Sequence, residues 1–162
     1  MLDGKISPDD PGDSDVRVLL ERHLAFANEH SPPEDVHALD LGGLLDADVS
    51  FFSYRLEGEL LGIGALKMLD RRHAELKSMH TAEAARGRGI GRAMVEYLVA
   101  LARSRGIHRV SIETGTMAAF APARSLYARA GFVPCEPFGS YVHSPNSTCM
   151  TLCLEEPEAP LP

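Results

Sequence analysis

The chain has 162 residues, 44% of them hydrophobic, which suits a single domain with a sizeable core. Its formal net charge of −7 argues against a general nucleic-acid binder, whose phosphate contacts need a basic excess. No apolar run of the ~18 residues a membrane span requires is present, and the opening "MLDGKISPDDPGDSD" has neither a basic segment nor an apolar signal core, so a cytoplasmic protein without membrane partners is expected.

In chain order, the acidic leader, residues 1–14, reads as a flexible end. "DVRVLLERHLAFANEH" then sets Val16, Leu19, Leu20, Leu24 and Ala27 on one stripe, with Asp13 or Asp15 as cap, and predicts a helix to about His30. "SPPEDVHALDLGGLLDAD" places Ser31 before two prolines and a short helix broken by Gly42 and Gly43, which makes a helical connector. "VSFFSYRLEGELLGIGALKML" reads as two strands about a turn at Glu57-Gly58. "HAELKSMHT" is a third strand, whose alternation puts Glu75, Lys77 and Met79 on one face and Ala74, Leu76, Ser78 and His80 on the other. From Gly89 onward, Ile90, Met94, Leu98, Leu101 and Ala102 recur at helical spacing, and Gly106 stands where a C-cap glycine belongs.

"HRVSIETG" follows as a strand. "FAPARSLYARAG" carries Pro122 in its first turn, aligns Ala123, Leu126, Tyr127 and Ala130, and ends at Gly131, so a short helix is predicted. "FVPCEPFGSYV" alternates weakly and "STCMTLCLE" clearly, giving the last strands before a flexible end at residues 156–162. The cysteines, Cys135, Cys149 and Cys153, form no CxxC pair and read as reduced packing residues. Arg55, Arg71 and Arg72 read as solvated charges. With neither an internal repeat nor a dividing linker, residues 1–162 form one α/β domain around a mixed sheet.

The chemistry concentrates in "ARGRGIGRAM". Alternating glycines let the backbone come close to a ligand, and their N–H groups, with those of the helix that begins here, form a nest for phosphate. Arg86, Arg88 and Arg92 add positive charge, a local basic patch suited to a small anion. A tight strand-to-helix turn would use the same glycines. The Walker A pattern fails for want of Gly-Lys-Ser/Thr, and G-x-G-x-x-G fails because Met94 follows Gly89-x-Gly91.

Arg86-x-x-Gly89-x-Gly91, after a strand and opening a helix, resembles the pyrophosphate signature Q/R-x-x-G-x-G/A of the GNAT N-acetyltransferases. The resemblance extends over nearly the whole chain: "AELKSMHT" is similar to the family's fourth strand and "APARSLYARAGF" to its A-x-x-L-Y-x-x-x-G-F segment. "HSPPEDVHALDL", "GALKMLDRRHAELKSM" and "CEPFGSYVHSPNSTCMTL" are similar to a bacterial subgroup labelled YsnE-like, some of whose members carry the name indole-3-acetic acid acetyltransferase. The resemblance implies a GNAT fold, a mixed, mostly antiparallel sheet flanked by helices. It also implies acetyl-CoA as co-substrate, no metal, and acetyl transfer to an amine by direct attack in a ternary complex.

By the same resemblance, Met79, His80 and Thr81 pair with the pantetheine arm, and a backbone N–H at Met79 or its neighbour polarises the acetyl carbonyl. Arg86, Gly87, Arg88, Gly89, Ile90, Gly91 and Arg92 hold the phosphates, with Ala123 and Leu126 beside them. Tyr127 matches the general acid that protonates the departing thiolate. Glu75 matches the glutamate base of the histone-acetylating branch; an ordinary ion pair with Lys77 or an arginine is its alternative. Where the family often has an Asn contacting pantetheine, this chain has Phe120. His23, His30 and His37, with Glu34, lie on the connector that roofs the acceptor site, without the spacing of a metal site. His30, Lys77 and Tyr141 are the candidate acceptor contacts. With Lys67 and Asn146, Lys77 and Tyr141 would suit an acidic acceptor.

A small-molecule amine is the expected acceptor, and a homodimer through the C-terminal strands is compatible with the pattern. A catalytically silent CoA-binding module and a lysine or N-terminal peptide acetyltransferase are the alternatives.

Overall fold

The structure, a computed structural model, describes residues 3–37 and 41–154. A short strand β1 (Lys5–Pro8) leads to α1 (Ser14–His30), a 3-10 turn at Pro33–Asp35 and the single turn α2 (Leu41–Leu44). Three strands follow, β2 (Val49–Leu56), β3 (Glu59–Met68) and β4 (His73–Thr81), and then α3 (Ile90–Ser104). The chain continues through β5 (Arg109–Gly115), α4 (Ala121–Arg129), β6 (Val133–Cys135) and β7 (Ser147–Cys153). The seven strands form one sheet in the order β1-β2-β3-β4-β5-β7-β6. Only β4 and β5 run parallel, as strands joined by a crossover helix must.

The sheet buries both faces. Under α1, Val16, Leu19 and Leu20 meet Phe51, Ile63 and Ala65. On the opposite face, Ile90, Met94, Val95, Leu98 and Ala102 of α3 pack on Phe52, Leu66, Leu76, Val110 and Ile112. Leu98 and Ala102 are 0% exposed, and full burial of a leucine stabilises by roughly 1.5–3 kcal/mol. Opposite α3, Gly62 and Gly64 replace larger residues because a Cβ at either would press on Ile90, Met94 or Met79 within 3 Å. Among the described residues, no helix is long and apolar enough to cross a membrane.

The leader is not a free end from residue 5 onward. β1 pairs antiparallel with β2, Lys5 opposite Arg55 and Pro8 opposite Phe52. Arg55, read as a solvated charge, is what holds it: its Nε donates to Asp9 at 3.0 Å and its Nη1 to Asp15 at 2.6 Å. Residues 1–2 and 155–162, and residues 38–40 of the connector, lie outside the described residues. "FVPCEPFGSYV" forms a strand only over Val133–Cys135. Its remainder is a loop that turns Phe138 onto His73, with ring centroids 5.5 Å apart, and Tyr141 onto Phe138 at 5.0 Å. Of the cysteines, Cys149 is buried as expected, whereas Cys135 is half-buried and Cys153 exposed; all three are free.

Candidate active site

β4 and β5 pair only from His73–Arg109 to Glu75–Ser111. Beyond Glu75 they part, and a cleft of about 820 Å³ is lined by the diverging strand ends, the start of α3, α4, and α1 with the connector behind it. Such a split exposes strand backbone that a regular sheet would pair.

A bulge in β4 sharpens this. Ile63 faces His80 and Ala65 faces Lys77, so Ser78 and Met79 together oppose the single residue Gly64. Ser78 takes φ = 54°, a conformation that strains a residue with a side chain by roughly 1 kcal/mol. Its hydroxyl is buried with no hydrogen-bond partner among the described residues. The bulge corrects the alternation expected for this strand, since an extra residue reverses every face after it. Met79 therefore joins Leu76 on the α3 side, and His80 joins Glu75 and Lys77 on the α1 side.

At the other end of the cleft, Gly89 is the N-cap of α3 with φ = 83°, left-handed backbone that glycine adopts without penalty. No side chain caps the first turn, which leaves its N–H groups and the positive end of the helix dipole facing outward. Arg86, Gly87, Gly89, Ile90, Gly91 and Arg92 line the cleft here, as do Met79, His80 and Thr81 on the strand side and Ala123 and Leu126 on α4. Arg88 does not. Arg86 lies over the Phe26 ring, 5.8 Å from its centroid, and Arg92 pairs with Glu96 at 2.9 Å on the surface.

Tyr127 lines the middle of the cleft and is 4% exposed. The end of its own helix fixes it. The Phe132 N–H bonds the Tyr127 carbonyl at 3.0 Å and the Gly131 N–H bonds that of Ala128 at 3.1 Å, a Schellman cap in which Gly131 takes φ = 100°. The cap also sets the Phe132 ring against Tyr127, centroids 5.9 Å apart. Burial raises the Tyr127 phenol above its ordinary pKa, so it holds its proton.

The end of the cleft beside Glu75 is polar. Glu75, 3% exposed, accepts a hydrogen bond from the Tyr141 hydroxyl and lies 3.4 Å from Lys77 Nζ. Lys77 also donates to the Tyr141 oxygen at 2.9 Å and to the His37 carbonyl at 3.0 Å. Burial, then the charge of Glu75, raises the Tyr141 phenol. Glu75 and Lys77 line the cleft, whereas Tyr141 stands behind them. His30 is outside the lining as well: it stacks on Phe26, centroids 4.5 Å apart, and Phe26 in turn meets Phe120 at 5.4 Å.

Two residues at this end, Glu113 and Asp35, were not singled out from the sequence. Glu113 of β5 lines the cleft and accepts from the Ser147 hydroxyl at 2.9 Å. Burial raises its carboxyl above the usual range, against the opposing pull of Ser147, His37 and Lys77. Strand alternation does place Glu113 on the face of Ser111, the partner of Glu75, and that was the available signal. Asp35 accepts from Ser144 at 3.0 Å and from the Asn146 side-chain amide at 3.3 Å, clasping the connector to the loop before β7. The imidazoles of His23 and His80 meet through their Nδ1 atoms at 3.2 Å. Burial lowers His23 to about pKa 4, with Lys77 adding to the effect. His80 falls to about 3 through burial and the charges of His23, Arg86 and Arg22.

A parted parallel strand pair, a β-bulge and an uncapped glycine loop meet around one cleft. The chain belongs to the acetyltransferase (GNAT) family, whose model matches residues 16–132, and it is an acyltransferase enzyme. It is 43% identical over 146 residues to the uncharacterised N-acetyltransferase YsnE of Bacillus subtilis (strain 168), covering 90% of this chain and 97% of that protein. It is 32% identical over 153 residues to the IAA acetyltransferase of Azospirillum brasilense, covering 94% and 96% respectively. Its fold matches the crystal structure of a GNAT family acetyltransferase from Elizabethkingia anophelis with acetyl-CoA bound, at TM-score 0.69 and 18% identity, over 93% of this chain and 98% of that one.

Proposed function

We propose that this enzyme moves the acetyl group of acetyl-CoA to the amine of a small molecule by direct attack within a ternary complex. The observation that carries the reading is the single cleft in which the parted β4–β5 ends, the Ser78–Met79 bulge and the uncapped start of α3 all meet. The residues present suit the co-substrate, as the acetyl-CoA in the Elizabethkingia anophelis structure also suggests. Arg86, Gly87, Gly89 and the first-turn N–H groups of α3 would hold the pyrophosphate. The β4 backbone from Met79 to Thr81 would pair with the pantetheine arm as an added strand, with Ala123 and Leu126 as the facing wall.

The bound thioester supplies the acetyl group and a thiol leaving group. Met79, displaced from the ladder by the bulge, directs its N–H at the acyl oxygen, where one preplaced donor is worth about 3 kcal/mol in the transition state. Tyr127, held protonated by burial, gives its proton to the departing sulfur. Glu75 pairs with Lys77 and accepts from Tyr141, the arrangement of the ion-pair alternative. It anchors the polar wall, which leaves the proton of the acceptor amine to another group. The clasp of Asp35 by Ser144 and Asn146 ties the connector to the loop before β7, which supports a small molecule over a threaded peptide.

Isothermal titration with acetyl-CoA, followed by thiol release over a panel of amines, amino acids and polyamines, tests this reading. Saturable binding with release on an amine is expected. Binding without release on any acceptor would favour a silent CoA-binding module, and release only with peptides would favour the peptide acetyltransferase.

A further inference from the structure

The cleft carries opposite charge at its two ends. Arg86 and Arg92 line the glycine-loop end, whereas Asp35, Glu75 and Glu113 line the acceptor end against one ammonium, that of Lys77. Lys77 is held within the protein: its ammonium donates to the His37 carbonyl at 3.0 Å and the Tyr141 oxygen at 2.9 Å and forms an ion pair with Glu75 at 3.4 Å. The Tyr141 proton is given to Glu75, and the Asn146 amide to Asp35. Lys77 and Tyr141, which would suit an acidic acceptor, are thus committed inside the protein, as is one N–H of Asn146. His23 and His80, their pKa values lowered to about 4 and about 3, add no positive charge near neutral pH.

Glu113 is arranged differently. One carboxylate oxygen accepts from Ser147 at 2.9 Å, and the other has no hydrogen-bond partner among the described residues while the residue lines the cleft. We infer that Glu113 receives the ammonium of the acceptor and takes its proton, and that the acceptors are small primary amines without a carboxylate. This rests on the acetyl-transfer reading. The groups that face Glu113 are Glu75 and Lys77 of β4, His37 and Asp35 of the connector, Tyr141 of the loop before β7, and Ser147 and Cys149 of β7. Burial raises its carboxyl and Glu75 adds to this, while Ser147, His37 and Lys77 pull the other way. A carboxylate so placed matches the task of a base working near neutral pH.

The proton account closes. Glu113 takes one proton from R–NH₃⁺, and the freed lone pair forms the N–C bond to the acetyl carbon. The C–S bond breaks with its electron pair going to sulfur, to which Tyr127 gives its proton. The second proton lost from nitrogen restores Tyr127, and Glu113 releases its own to water. One turnover yields an amide, a thiol and a proton.

Phenethylamine and phenylalanine form the first probe pair, because they differ only by a carboxylate; cadaverine and lysine form the second. Thiol release by the full-length wild type should favour each amine over its amino acid by about tenfold or more in kcat/KM, and Glu113→Gln should lower kcat/KM for phenethylamine by about 100-fold. Glu113→Gln should also remove the acid-side limb of the pH profile and leave acetyl-CoA affinity, measured by calorimetry, within about twofold, while Glu113→Asp recovers part of the rate. If the glutamine variant fails to fold, the wild-type probe pairs and the aspartate variant still decide. An unchanged rate in Glu113→Gln, an acid limb removed by Glu75→Gln instead, a preference for the amino acids, or acetyl-CoA binding with release from neither amine overturns the inference. Failure of the wild type to bind acetyl-CoA would instead overturn the acetyl-transfer reading beneath it.

Discussion

Acid should weaken this fold through the imidazole pair that joins α1 to β4. His23 and His80 meet at 3.2 Å with neither ring bonded to a carboxylate, so a proton on either ring faces a second imidazole and the nearby Lys77 or Arg86. Burial, then Lys77, lowers His23 from 6.5 to about 4. A group whose folded pKa lies below its unfolded value contributes stability that is fully present above the unfolded pKa. That contribution is lost as pH falls from about 6.5 towards about 4. The gap for His23 is about 2.5 units, and at about 1.4 kcal/mol per unit it amounts to at most about 3.5 kcal/mol, of which about 3 is lost by about pH 4. Urea midpoints of the wild type and of a His23→Leu/His80→Leu variant, taken in steps between about pH 7 and about pH 4 at constant m-value, would measure it. Carboxylate titration affects both proteins alike, so the wild type should lose at least about 3 kcal/mol more than the variant across that window, the lowered His80 adding to the share of His23. Parallel loss in the two proteins would refute the reasoning.

Three further outcomes follow from the same geometry. Gly89→Glu places a side chain at φ = 83° and a negative charge in the ring of N–H groups, so calorimetry should show acetyl-CoA binding abolished; undiminished affinity would remove the loop from the ligand site. Tyr127→Phe should lower kcat by about 100-fold with acetyl-CoA affinity unchanged, as read by thiol release in the chemistry-limited range. Leu98→Ala, at a side chain 0% exposed, should cost about 3 kcal/mol in urea unfolding because the α3 interface cannot close over the space left behind.

What could be read directly from the chain was whatever its neighbours along the chain decide. The stripe Ile90, Met94, Leu98 and Ala102 is buried as its spacing predicts, and Gly106 and Gly131 cap their helices with positive φ as expected. β1 escaped because its four residues carry no pattern of their own; its place depends on Arg55, some forty residues away, reaching Asp9 and Asp15. The bulge is missed when alternation is carried unbroken through "LKSMH", although the adjacent polar residues Lys77 and Ser78 between Leu76 and Met79 already interrupt it. Its other trace lies on the partner strand, where Gly64 stands alone against Ser78 and Met79.

The two ends of the cleft differ in legibility for a physical reason. Phosphate can be held by consecutive backbone N–H groups with glycines among them, so the site proposed for it can be written as a short motif from Arg86 to Gly91. An acceptor end needs side chains converging from several directions, and here they come from α1, the connector, β4, β5 and the loop before β7. Each of those residues, taken alone, is an ordinary histidine, lysine or glutamate. Their meaning arises only when β4 and β5 part beyond Glu75 and bring Lys77, already paired, to the same end of the cleft as Glu113, which still has an oxygen to offer.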